Sequence, residues 1–125
     1  MKSLLKLLTL PIAVSICLSG IPCRLVLADS TADLILNLRC QGGYNVQVWK
    51  NRRTGGLMYR SQSSSGNMKI ERGTKQATEG VTVYKFRNGT YQYWVWDGTL
   101  DSPNRGKLEV YRNDRILMQR QCQKI

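Results

Sequence analysis

One segment constrains the fold of this chain more than any other: Asn88-Gly89-Thr90-Tyr91-Gln92-Tyr93-Trp94-Val95-Trp96-Asp97-Gly98. It opens on Asn-Gly and closes on Asp-Gly, dipeptides that favour tight hairpin turns. The residues between them are β-formers whose apolar members occupy both parities. A type I′ turn at Asn88-Gly89 would pair residues 81–87 with residues 90–97 and fix the register. Phe86 is then expected to face Tyr91, Tyr84 to face Tyr93 and Thr82 to face Val95. On the other side Lys85 is expected to face Gln92, Val83 to face Trp94 and Val81 to face Trp96. Both faces of this hairpin are largely apolar. It is therefore either covered on both sides or shows one aromatic face to a ligand.

The rest of the chain reads as further short strands. Leu34, Leu36, Leu38 and Cys40 alternate with Ile35, Asn37 and Arg39. Tyr44, Val46 and Val48 alternate with Asn45, Gln47 and Trp49. Residues 57–61 predict a third strand, residues 62–67 a Ser-rich loop and residues 68–71 a short strand. Residues 72–80 carry no apolar period and read as a loop or irregular edge. Residues 100–105 read as a loop. Residues 107–112 and 115–122 predict a final hairpin around Asn113-Asp114. No helical period appears beyond the N-terminal region. These signals predict an all-β domain, a small antiparallel meander of about seven to eight strands closed or nearly closed as a barrel.

Residues 1–28 read as a secretory signal: Lys2 and Lys6, an apolar run from Leu7 to Leu18, then Val26-Leu27-Ala28. Pro11, Ser15, Ser19, Gly20 and Pro22 break the run, against a membrane span that needs about 20 apolar residues. A lipidated cysteine at Cys17 or Cys23 is the other option, although Ile16 and Pro22 stand where a lipobox wants a small residue. Residues 29–125 then form one secreted domain, periplasmic or extracellular, with no stable membrane span after cleavage. They retain two cysteines, Cys40 and Cys122, and export to an oxidising compartment predicts a disulfide between them. Chain entropy gives such a long closure about 4–5 kcal/mol as an upper guide. A redox pair would want Cys-x-x-Cys spacing, which is absent.

Sixteen of the nineteen basic residues lie beyond residue 28, with all eight acidic ones, leaving a balance of +8. Such a field attracts polyanions, and also simply keeps a protein soluble. Export favours an anionic glycan or envelope polyanion, or a protein partner, over nucleic acid. Catalysis is poorly supplied. The chain has no histidine, which removes the commonest general base and most zinc sites. The carboxylates Glu71, Glu79, Asp97, Asp101, Glu109 and Asp114 are scattered, and Asp97 reads as a turn cap. No cofactor or metal is expected, and the chain reads as a binding protein, not an enzyme. Its candidate ligand-binding residues are Trp49 with Lys50, Arg52 and Arg53, and Trp94 and Trp96 with Lys85. Tryptophans stack on sugar rings or anchor interfaces, and cations hold carboxylate or sulfate. Alternation leaves core open as the other place for these aromatics.

Residues 89–96, then Val110-Tyr111-Arg112-Asn113-Asp114-Arg115-Ile116-Leu117, then Cys122-Gln123, resemble the end of the periplasmic C-type lysozyme inhibitor family. The resemblance covers about 35 residues and needs an insertion around residues 100–106. It implies a small exported antiparallel β-barrel with a disulfide between its N- and C-terminal strands. It also implies inhibition of a wall-degrading enzyme. That family presents a serine before the aromatic strand and a lysine just after its Trp. Here those places fall at Thr78 or Glu79 and at Asp97, so the inhibitory residues do not carry over. The positive charge also opposes docking onto a basic lysozyme.

Overall fold

The structure, a computed structural model, describes residues 31–125. The expected signal segment lies outside the described residues. Eight strands follow one another around a closed antiparallel barrel: β1 Ala32–Cys40, β2 Tyr44–Asn51, β3 Leu57–Ser63, β4 Gly66–Thr78, β5 Val81–Asn88, β6 Tyr91–Asp97, β7 Arg105–Arg112 and β8 Arg115–Lys124. Each strand pairs with its sequence neighbour. Closure alone removes free sheet edges, and here β1 meets β8 over only three rungs, Leu38↔Lys124, Arg39↔Gln123 and Cys40↔Cys122. The disulfide joins the last of these rungs. A seam this short gains most from a covalent tie.

Inward side chains make the core. Leu36, Leu38, Val46, Val48, Leu57, Tyr59, Ile70, Phe86, Val95 and Leu108 are buried, and Leu38, Val46, Val48 and Val95 expose nothing. β2 follows its expected alternation: Val46 and Val48 face in and Trp49 faces out, half-buried. In β1 the expected apolar face holds from Leu36 to Cys40 but fails at Leu34, which is 43% exposed. A bulge between Leu34 and Leu36 breaks the register there and turns the start of the strand away from the core.

Three further expectations need correction. The Asn-Gly hairpin is real, but its central residues are Gly89 and Thr90, with Asn88 paired to Tyr91. Glycine with φ +66° at the first central position is the II′ pattern, where the I′ reading had placed Asn88. Every rung therefore slips by two residues. Phe86 faces Tyr93, Tyr84 faces Val95, Lys85 faces Trp94 and Val83 faces Trp96. A slip of two preserves the strand period, so each side chain keeps its expected face. Asn113 and Asp114, at φ +50° and +67°, do form the I′ turn of the last hairpin.

The second correction concerns β4. Residues 72–80 were expected to be irregular and residues 68–71 a short strand, yet β4 runs unbroken for 13 residues. Its first half pairs with β3 and its second half, from Thr74, pairs with β5. Only Ile70 along it is buried. The strand is held by backbone ladders, which leave no apolar period to read. It bends at a bulge where Arg72 takes φ +63°. The next residue is Gly73, and a Cβ there would overlap the Phe86 ring. Glycine lets the bent wall close onto the core at that point. The Ser-rich segment is likewise shorter than expected. Only Ser64 and Ser65 lie outside the strands, between the paired Ser63 and Gly66.

Candidate functional site

The hairpin segment divides its aromatics between two faces. Tyr93 and Val95 point in with Tyr84 and Phe86; Trp94 and Trp96 point out and are half-buried. On the outer wall the rungs run Lys85–Trp94–Glu109–Gln119 and Val83–Trp96–Lys107–Gln121. The rings form a small cluster. Trp94 lies with its ring centre 4.6 Å from that of Tyr111 and 6.4 Å from that of Trp96. Val83, although on the outer face, is only 1% exposed opposite Trp96. The ammonium groups sit over the rings: Lys85 Nζ is 3.8 Å from the centre of Trp94 and Lys107 Nζ is 5.1 Å from that of Trp96. Such cation–π contacts contribute about 0.5–1 kcal/mol at exposed sites.

Glu109 ties the cluster together. It is the buried charged residue of the described chain, at 7% exposure. Its Oε1 accepts the indole N–H of Trp96 at 2.6 Å, and its Oε2 lies 3.7 Å from Lys107 Nζ. Burial pushes the Tyr111 phenol up, and the neighbouring Glu109 carboxylate adds to that shift. Trp94 donates its indole N–H to Gln92 Oε1 at 3.1 Å. Both indoles are thus fixed in orientation by partners on the protein.

The wall continues into a cleft of 710 Å³ at the rim that carries the β4–β5 and β6–β7 connections. Trp96, Val81, Leu100, Arg105 and Lys107 line it, with Glu79, Asp101, Thr99 and Ser102. The β6–β7 loop is held by reciprocal backbone bonds between Thr99 and Ser102. Leu100, at 71% exposure, projects from it. Asp97, just before the loop, forms an ion pair with Lys124 at 2.5 Å. That pair ties the end of β6 to β8.

The expected ligand residues therefore separate. Lys85, Trp94 and Trp96 come together on β5 and β6. Trp49, Lys50, Arg52 and Arg53 belong to β2 and the turn after it, and β2 stands four strands from β6 in either direction around the barrel. Trp49 donates to Gln47 Oε1 at 3.1 Å. Arg52 Nε pairs with Asp33 Oδ1 at 2.8 Å, both side chains more than half exposed. Asn51 Oδ1 accepts from the backbone N–H groups of Arg53 and Thr54 and organises the turn. No second ring meets Trp49 there among the described residues.

Sequence reading missed Lys107, Glu109 and Tyr111. Their alternation on β7 was visible, but their register against β6 crosses the β6–β7 connection at residues 98–104 and cannot be counted through it. Among the described residues no group of three His, Cys, Asp or Glu side chains is placed to hold a metal ion. Searches against family models, curated proteins and solved structures return no match to this chain.

Proposed function

We propose that this protein is a non-catalytic binding domain of the cell envelope or exterior. Its β5–β6–β7 wall takes an anionic polysaccharide or a similar envelope polyanion. The observation that carries this reading is the row of oriented rings, Trp94, Trp96 and Tyr111, flanked by Lys85 and Lys107 and opening into a cleft with Arg105. The rings offer apolar area to sugar faces, and the ammonium and guanidinium groups offer charge to carboxylate or sulfate. Trp49 with Lys50, Arg52 and Arg53 belongs to the opposite wall and is not part of this site.

Titration with acidic glycans should quench Trp fluorescence, and the affinity should fall steeply with salt as the screening length contracts to about 3 Å at 1 M. Neutral glycans of the same backbone should bind at least tenfold more weakly. Equal affinity for both, or no quenching across a panel of acidic glycans, rejects the reading.

A second reading is inhibition of a wall-degrading enzyme, as the family resemblance implies. The closed barrel with a β1–β8 disulfide supports it, as does Leu100 projecting beside a cleft, an apolar group suited to a protein surface. A lysozyme assay separates the two. A fall in rate at micromolar protein supports inhibition, and an unchanged rate removes it.

A further inference from the structure

A different cavity lies inside the barrel. At the rim carrying the odd-to-even hairpin turns, the wall is uneven. β1 stops at Cys40, where it is paired to Cys122, and one more backbone bond from Gln41 N–H to Gln121 O ends that seam. β8 continues toward this rim from Arg120 back to Arg115, with β7 on one side and no strand on the other. The seam thus ends well below the tip of the β7–β8 hairpin and leaves a notch in the wall. The notch opens into a cavity of 350 Å³, within the range of about 300–1,000 Å³ of small-molecule sites, which favour barrel mouths.

The chemistry of its lining is distinctive. Tyr44, Tyr59 and Tyr93 supply aromatic walls, and Met68 and Met118 lie across from one another on β4 and β8. Ser61 and Ser63 supply hydroxyls near the mouth, and Ser61 hydrogen-bonds to Tyr59. No charged side chain lines it, whereas the outer cleft carries Glu79, Asp101, Arg105 and Lys107. In a chain with a balance of +8 beyond residue 28, an uncharged cavity is selective. An ionised ligand would lose its hydration there without gaining a countercharge. Tyr59, one of its walls, is only 2% exposed, and that burial also pushes its phenol up to about 12. Thioethers adapt to ring edges of varied shape, and phenols and serines can bond one polar group.

We infer that this notch is a second binding site, for a small neutral ligand with an apolar or aromatic body and a single hydrogen-bonding group. The site is independent of the outer wall and does not rest on the polysaccharide reading.

The neutral fluorophore N-phenylnaphthylamine tests it with the purified protein. Its emission should rise saturably with one site per chain. Met118→Trp, which fills the cavity at a half-buried position, should weaken binding at least tenfold. Leu117→Lys adds a charge at the mouth, at a position already 57% exposed, so folding is not at stake. It should weaken binding several-fold, while Trp96→Ala leaves it unchanged. Amide shifts in the bound protein should cluster around Tyr44, Ser61, Met68 and Met118. The inference is overturned by a rise that does not saturate or by binding that both notch variants leave intact. It is equally overturned by shifts confined to the outer wall or to the free side of β8.

Discussion

The two faces of the β5–β6 hairpin carry similar aromatic content and hold it by different means. Inside, Tyr59 packs with its ring centre 5.6 Å from Phe86 and 5.3 Å from Tyr93, among aliphatic neighbours. Outside, Trp94, Trp96 and Tyr111 stay partly exposed, with the indoles bonded to Gln92 and Glu109 and lysines over their rings. The inner rings are set by shape and burial, so removing one leaves a cavity. The outer rings are set by polar partners and keep free surface, so removing one leaves a smaller defect and a lost contact area. Apolar residues on both faces of a strand therefore do not imply two covered faces. The difference lies in whether the ring's polar atom has a dedicated partner at the surface.

The largest effect that sharpens this contrast is expected inside. Phe86→Ala should cost about 3–5 kcal/mol, measured by urea unfolding, because the ring fills the space that Gly73 leaves open. Replacing Cys40 and Cys122 together by Ala should cost about 2–5 kcal/mol in the same assay, since both are buried at the three-rung seam. An unaltered urea midpoint in either variant would break the claim that packing and closure hold the inner face.

Alkaline pH separates the faces next. The Tyr59 phenol is raised from 10.0 to about 12 in the folded chain, mainly by burial and against the lowering effect of its bond to Ser61. The folded state then holds the proton more tightly than the unfolded state. The stabilisation is complete below pH 10 and is lost as pH rises toward about 12. Tyr59's own share of the loss amounts to about 2–3 kcal/mol, and Tyr59→Phe should remove that share while leaving those of the raised Tyr84, Tyr93 and Tyr111 phenols. A stability profile flat from pH 9 to 12 would show that Tyr59 is not sealed in.

Smaller effects are expected outside. Trp96→Phe keeps an aromatic ring but removes the N–H that Glu109 accepts, and should cost about 1–3 kcal/mol in urea unfolding. Lys85→Ala should change stability by under about 1 kcal/mol, yet lower glycan affinity and flatten its salt dependence, read by isothermal titration at two salt concentrations. If Lys85→Ala destabilised the domain as much as Phe86→Ala, the two faces would not differ as described.

The barrel was legible in the sequence because β2 and the Leu36–Cys40 part of β1 alternate, and because the turn residues at Asn88-Gly89 and Asn113-Asp114 mark the two later hairpins. β4 was not legible. Thr74, Lys75, Gln76 and Thr78 bury little, and a strand held by two backbone ladders leaves no trace in the hydrophobic pattern. The slip at Gly89-Thr90 was hidden for a related reason. Asn88-Gly89 and Gly89-Thr90 both suit a two-residue turn and keep the same faces, so patterning does not choose between them. For the candidate site, sequence supplied Lys85, Trp94 and Trp96 as one neighbourhood and Trp49 with Lys50, Arg52 and Arg53 as another, but chain order does not show that β2 and β6 oppose each other. Glu109 looked like one of several scattered acids until the register placed it under Trp96.

The most direct measurement uses the three indole N–H signals of the nitrogen-15-labelled protein, one each for Trp49, Trp94 and Trp96. Titration with an acidic polysaccharide at low salt should shift the Trp94 and Trp96 signals together and leave Trp49 in place. Shifts at Trp49 alone, or none at the two β6 indoles at saturating glycan, would contradict a polyanion site on the β5–β6–β7 wall.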